Sequence, residues 1–330
     1  PEYGARANVF IDVKSILKSL YARGTNLMVK DSCAIASCMI NLAIHLRAYF
    51  ETRHKVSTKV FIVYGEARPQ ACISSYPRYN EKNILMEDSN PLLKNLIKDN
   101  LNLIRILCPY LHDFFYVEDL HNEFSVITSS LINRLNEPEI PNIVYSKDTM
   151  SYQLVAFKPR TFLFRPKKKF NEDTSWVVTK STLYNAYRYG ELGITRQLDT
   201  SLNVKMFSIY LAIAGVKSRS IDSIKNGNTT IKLLEQAVEK NIFSTGYNSS
   251  AIFCTKPNPF EILFQGTNVD PNEVMTRFSV IDLLHNTMLY ESSLEYKSAA
   301  EGIINLYNPD EVRHINNMYF QEYPLDLNRV

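Results

Sequence analysis

Two aspartates in this chain stand where buried strands would deliver them. Val9-Phe10-Ile11-Asp12 is an apolar run that ends in an acid, and Asn142-Ile143-Val144-Tyr145 leads directly towards Asp148. A third acidic stretch holds Glu118, Asp119 and Glu123. Carboxylates gathered in this way can hold two divalent ions about 4 Å apart, which activate water and stabilise the leaving oxygen in phosphodiester hydrolysis. The plainer alternative is that Asp12 and Asp148 merely end a strand or cap a helix. The densest basic stretch is residues 158–169, with Lys158, Arg160, Arg165, Lys167, Lys168 and Lys169 interleaved with Phe162 and Phe164. Such a stretch can follow backbone phosphates while its rings stack on bases, or it can be a solvated loop.

The elements that must position these groups follow from hydrophobic periodicity. Strands are expected at 9–12, 59–64 and 142–145, and helices over about 35–46, 92–111 and 124–135. Further helical stretches fall at 182–189, 271–290 and 292–307. Strands separated by helices imply an α/β class with a doubly wound, mainly parallel sheet. Sites in such sheets form beyond the carboxyl ends of the strands, where Asp12, Gly65 and Asp148 would converge.

Composition sets the outer bounds. With 330 residues, 45% of them hydrophobic, the chain can bury a substantial core. Lys and Arg total 37 against 34 Asp and Glu, so local clusters and not net charge must carry any argument for a polyanion partner. The five cysteines form no CxxC pair, which points to neither a zinc site nor a disulfide framework and implies a reducing compartment. Six scattered histidines include His121 near the acids. No apolar run approaches about 18 residues and no secretion signal is seen, so neither a membrane nor export is expected. The chain begins without Met, which is compatible with a true N-terminus further upstream.

Five segments, in order, resemble motifs of the 5′-nuclease family (flap endonucleases and the 5′–3′ exonucleases of phages and polymerases). Ile11-Asp12-Val13 sits at the family's first-strand acid. Tyr64-Gly65-Glu66-Ala67-Arg68-Pro69 is similar to F-D-G-K-x-P without its aspartate, and Tyr76-Pro77-Arg78-Tyr79-Asn80-Glu81-Lys82-Asn83 to F-P-x-Y-K-x-N-R. Asn122-Glu123-Phe124-Ser125-Val126-Ile127 stands at E-A-D-D-V-I, and Ser146-Lys147-Asp148-Thr149-Met150-Ser151-Tyr152-Gln153-Leu154-Val155 at S-G-D-K-D-L-L-Q-L-V. Beyond these, Leu211-Ala212-Ile213-Ala214-Gly215-Val216-Lys217-Ser218-Arg219-Ser220-Ile221 resembles L-A-L-I-G-D-K-S-D-N-I, followed by a glycine-poor version of the family's phosphate-binding hairpin at 226–234.

The resemblance implies a PIN/FEN-like core over 1–157 and a basic, helical-hairpin region over 158–246. Residues 247–330 form a mostly helical extension without a motif counterpart. It also implies lost chemistry, because Met150, Val216 and Arg219 replace aspartates, and a thioether is a very poor ligand for Mg²⁺. Asp12 and Asp148 are the remnant acids, with Glu123 a further candidate metal ligand, and Arg219 in the same pocket as Asp12 and Asp148 would compete for those two as a salt-bridge partner. Candidate nucleic-acid contacts are Arg78, Lys82, Lys167, Lys168, Lys169, Lys217, Arg219, Lys225 and Lys232. The expectation is a degenerate nuclease of phage or viral origin that binds nucleic acid, DNA before RNA, or docks into a virion or a transcription or replication complex. It would act in the host cytoplasm or the virion, with no cofactor. Two alternatives stay open: an active nuclease using Mg²⁺ or Mn²⁺ at Asp12, Asp148, Glu118 or Asp119, and Glu123, or a purely structural virion protein.

Overall fold

Alternate residues of the central strands feed two separate apolar cores. In β1 (Ala5–Asp12), Val9 and Ile11 face one core and Phe10 the other. In β2 (Val56–Gly65), Val60, Ile62 and Tyr64 face the first, Phe61 and Val63 the second. β3 (Phe114–Asp119) and β4 (Asn142–Tyr145) follow the same alternation. A sheet covered on both faces gives strands without polar alternation, which is why β1, β2 and β4 read as unbroken apolar runs. The computed structural model describes residues 5–17, 32–65, 70–81, 91–166, 175–195, 202–243, 249–293 and 306–327.

β5 (Thr161–Pro166) and β6 (Ser175–Val178) complete a six-stranded sheet of order β3-β2-β1-β4-β5-β6. The first five strands are parallel, and β6 runs antiparallel to β5. β1 pairs with β2 on one side and β4 on the other, so the strand order switches direction at the end of β1. Asp12 stands at that switch point, where doubly wound sheets place their sites.

The helices in chain order begin with α1 (Ser32–His54), α2 (Gln70–Ser75), α3 (Pro91–Leu107), α4 (Phe124–Leu135), α5 (Tyr152–Phe157) and α6 (Leu183–Tyr189). They continue with α7 (Phe207–Ala214), α8 (Gly227–Glu239), α9 (Ser249–Cys254), α10 (Pro259–Leu263), α11 (Pro271–Ile281), α12 (Leu283–Glu291) and α13 (Pro309–Tyr319). α1, α3 and α13 cover the first face, while α4, α5, α7, α11 and α12 pack on the second. α1 is long and apolar enough to cross a membrane by length and composition, which the sequence reading did not anticipate. Its Ile35, Met39, Ile40, Ala43 and Ile44 are buried in the first core, so the apolar character has a use inside the fold.

Two differences from the sequence reading have clear physical reasons. The stretch 271–290 is broken at Asp282, whose carboxylate accepts from the His285 amide at 2.9 Å and caps a new helix. The basic stretch is strand, not loop, over Thr161–Pro166. Lys158 is buried with its ammonium 2.6 Å from Asn133 Oδ1, Arg160 pairs with Glu139, and Arg165 donates to the carbonyls of Lys147 and Asp148. Those three cations are therefore already engaged. Lys167, Lys168, Lys169 and Lys82 lie outside the described residues.

The chain beyond 247 is bound to the sheet region by polar contacts. Gln153 on α5 donates to the Ile281 carbonyl at 2.9 Å and accepts from the Leu283 amide at 3.1 Å. Thr287 donates to Ser129 at 2.8 Å, and Asn133 to Glu291 at 2.8 Å.

Candidate functional site

Three turns meet beyond the carboxyl ends of β1, β3 and β4. Asp12 closes β1 almost fully buried, with Oδ2 accepting from Ser146 Oγ at 2.6 Å and Oδ1 from the Ser15 amide at 3.1 Å. Burial, and then the Asp148 charge, raise its pKa above the usual aspartate value, and the Ser146 and Ser15 hydrogen bonds offset this in part. Asp148 caps the tight turn Thr149–Ser151 by accepting from the Met150 amide at 3.2 Å. Its own amide donates to Ser146 Oγ at 3.0 Å, so one serine links both aspartates.

Glu123 enters at the N-cap of α4. That position depends on Gly65 at the end of β2, where a Cβ would lie 2.4 Å from the Phe124 nitrogen and 2.8 Å from the Glu123 carbonyl carbon. Only a glycine lets β2 abut the start of α4 so closely. Glu123 Oε1 accepts from Tyr79 Oη at 2.7 Å and from Arg219 Nε at 2.9 Å.

Arg219 comes from the turn after α7, and its geometry is built by local sequence. Gly215 takes a positive φ of 80°, and a Cβ there would meet the backbone of Asp222 at 2.7 Å. Val216 and Ile221 then form a two-way bridge that brackets the turn Lys217–Arg219. The Arg219 carbonyl accepts from the Asn80 amide at 2.8 Å, which ties this turn to the one bearing Arg78. The side chain points inward. Its Nη2 lies 2.5 Å from Asp148 Oδ2 while Nε holds Glu123, and the residue is only 5% exposed.

One guanidinium thus bridges two carboxylates in a largely buried site. Burial works to lower the Arg219 pKa, but Asp148 and Glu123 outweigh it and hold the guanidinium well above its ordinary value. Burial raises the Glu123 carboxyl, and Arg219 pulls it back. Met150 is buried beside this group with its sulfur 3.9 Å from Gln153 Nε2, and it lines a cavity together with Tyr79, Glu123 and Ser125.

No family model matches the chain, and no curated protein sequence matches it. Solved structures do. A bacteriophage T5 protein co-crystallised with metal ions superposes with a TM-score of 0.57 at 11% identity, over 96% of this chain and 100% of that one. The bacteriophage T5 flap endonuclease in a pseudo-enzyme–product complex with DNA and metal ions also gives 0.57 at 11% identity, over 96% and 98%. The T5 5′-exonuclease with zinc gives 0.52 at 10% identity, over 96% and 99%. The chain has the 5′-nuclease fold.

On this 5′-nuclease fold the donor set does not suit two divalent metals. Both Asp12 oxygens and both Asp148 oxygens accept hydrogen bonds from the protein, and Glu123 Oε1 accepts two. A permanent cation sits among them, where a metal pair would need open carboxylate oxygens. Among the described residues no group of three or more His, Cys, Asp and Glu forms a metal-holding cluster. The acids named as substitutes do not repair this. Glu118 points to the opposite face of β3, where it accepts from Tyr116 at 2.8 Å and pairs with Arg105. Asp119 faces the site side but is taken by the His121 amide at 2.7 Å and by Asn122.

The expected phosphate contacts divide cleanly. Arg78, Lys217, Lys225 and Lys232 are all exposed, and Arg219 is not. A charged residue replacing an aspartate in a motif was the signal that Arg219 belongs with the acids. Ser146, Tyr79 and Gln153 carried no such signal, because their importance lies in partners distant in sequence.

Proposed function

We propose that this chain is a catalytically degenerate 5′-nuclease-like protein that binds nucleic acid, DNA in preference to RNA, as a component of a phage or viral assembly acting in the host cytoplasm or within a virion. The observation that carries this reading is the Arg219 bridge between Asp148 and Glu123, which puts protein charge where the chemistry of the fold needs metal charge. Four of the cations expected to meet phosphate are open to solvent, which supports the binding reading. Lys217, Lys225, Lys232 and Arg78 remain exposed around the turns at 76–80 and 215–226. The bacteriophage T5 relative with the same fold was crystallised with DNA, which supports the polymer and the biological setting.

The test is binding of labelled single-stranded and flap DNA as a function of salt. Phosphate contacts make the logarithm of affinity fall linearly with the logarithm of salt, with a slope of about −0.7 to −0.9 per neutralised phosphate. A steep slope for DNA supports the proposal; salt-independent or absent binding contradicts it.

A further inference from the structure

A cavity of about 250 Å³ opens beside Glu123, between the start of α4, Met150 and the helices α11 and α12. Val126, Met150, Val280, Ile281 and Leu283 make its wall apolar, and Leu289 lines it while 44% exposed. Among the described residues, the lining holds one carboxylate, Glu123, and no lysine or arginine. Arg219 donates to Glu123 at 2.9 Å but is not part of that lining. Its charge does not cancel that of Glu123 inside the cavity. Burial raises the pKa values of Cys72 and Tyr79, which both line the cavity. The Glu123 charge raises them further, and by more than the Arg219 charge lowers them. The space is therefore electronegative.

The other polar groups of the lining can also receive a cation. The hydroxyls of Ser125, Tyr290 and Ser293 accept as well as donate, and Asn122 and Asn286 carry carbonyl oxygens. A neutral His121 ring offers one acceptor nitrogen. A buried cation needs a paired charge, and an aliphatic stem gains by lying on an apolar wall while its charged head finds polar partners. The ligand must be small, since pockets for drug-sized ligands start at roughly 300 Å³. A guanidinium prefers both oxygens of one carboxylate. Glu123 Oε1 already accepts from Tyr79 at 2.7 Å and from Arg219 at 2.9 Å, so that fork is not open. The compact charge of an ammonium needs no fork. We propose that the cavity binds a primary ammonium ion on an aliphatic stem, with its head at Glu123 and Ser125 and its stem along Val280 and Ile281. A free polyamine and the lysine side chain of a partner both supply this group. The proposal goes beyond the nucleic-acid reading and does not depend on it.

The experiment is an NMR titration of the whole chain with n-butylammonium chloride, referenced to sodium chloride at equal ionic strength. 1-Butanol keeps the stem without the charge, and n-propylguanidinium keeps the charge in planar form. The expected result is saturable shifts at cavity residues with butylammonium, at least tenfold weaker with either of the other two. Leu289→Trp places a larger ring at the cavity from an exposed position, and it should weaken butylammonium binding at least tenfold. Equal binding of butanol, equal binding of propylguanidinium, no saturation with butylammonium, or undiminished binding in Leu289→Trp would overturn the assignment. Spermidine and a blocked Ala-Lys-Ala peptide, titrated in the same way, separate the two sources. The tighter of the two identifies which one the cavity serves.

Discussion

Arg219 reaches 2.5 Å from Asp148 across 71 residues of sequence, and the contact is only 6% exposed on the arginine side. An ion pair of this kind contributes little by existing and a great deal by not being broken. Desolvating the charges costs about as much as their attraction returns, whereas removing one partner strands the others. Arg219→Met is therefore expected to destabilise the chain by about 3–5 kcal/mol at neutral pH. Urea denaturation measures this, and a loss below about 1 kcal/mol would show that the bridge does not hold the site together.

Asp12 gives the opposite expectation. Its pKa is raised in the folded state, mainly by burial, so the folded chain binds its proton more tightly than the unfolded chain. Stability from this group grows as pH falls from neutral through the folded pKa towards the ordinary aspartate value, and the penalty is complete above the folded pKa. Asp12→Asn, which keeps the size and can still pair with Ser146 and Ser15, should be neutral or stabilising at pH 7 and should lose that advantage at pH 4. Denaturation midpoints at the two pH values decide the sign. An Asp12→Asn advantage that grows on acidification would refute it.

Gly65→Ala should be costly although it adds one methyl. The new Cβ would meet backbone and not a movable side chain, 2.4 Å from Phe124 N. Overpacking typically costs about 1–3 kcal/mol, and a rigid contact belongs at or above the top of that range. Because α4 begins there, the substitution should also shift Glu123 away from Arg219. Thermal denaturation tests the first effect, and NMR of the Arg219 side chain the second. A melting temperature within a degree of the wild type would contradict the close approach.

Much of this was legible in the sequence, for reasons that particular residues display. α4 was read at its observed bounds because its apolar periodicity begins directly after Glu123. β1, β2 and β4 were visible as apolar runs because both faces of the sheet are covered. β3 was not, since Glu118 and Asp119 break its pattern, and β5 was hidden by the charges of Arg165 and its neighbours. The motif order disclosed that Arg219 and Asp148 share a pocket. It did not disclose Glu123 as the second partner of Arg219, because that depends on the closeness of β2 to α4 at Gly65.

The exposed cations offer a graded test of the polymer reading. Lys217→Ala, Lys225→Ala and Lys232→Ala should each weaken DNA binding to a similar degree across sequences and flatten the salt slope by about one. The folded state should be unaffected, since all three side chains are exposed. Unchanged slopes in the triple variant would move the nucleic-acid surface elsewhere on the molecule.

The most direct test of the central claim is cleavage of a labelled 5′-flap DNA in Mg²⁺ and in Mn²⁺, with Asp148→Ala as the control for contaminating nuclease. The Arg219 bridge predicts no cleavage by wild-type protein shown to be folded. Cleavage by the wild type that disappears in Asp148→Ala would mean that the acids can release Arg219 and gather metal, and the account of a degenerate site would be wrong.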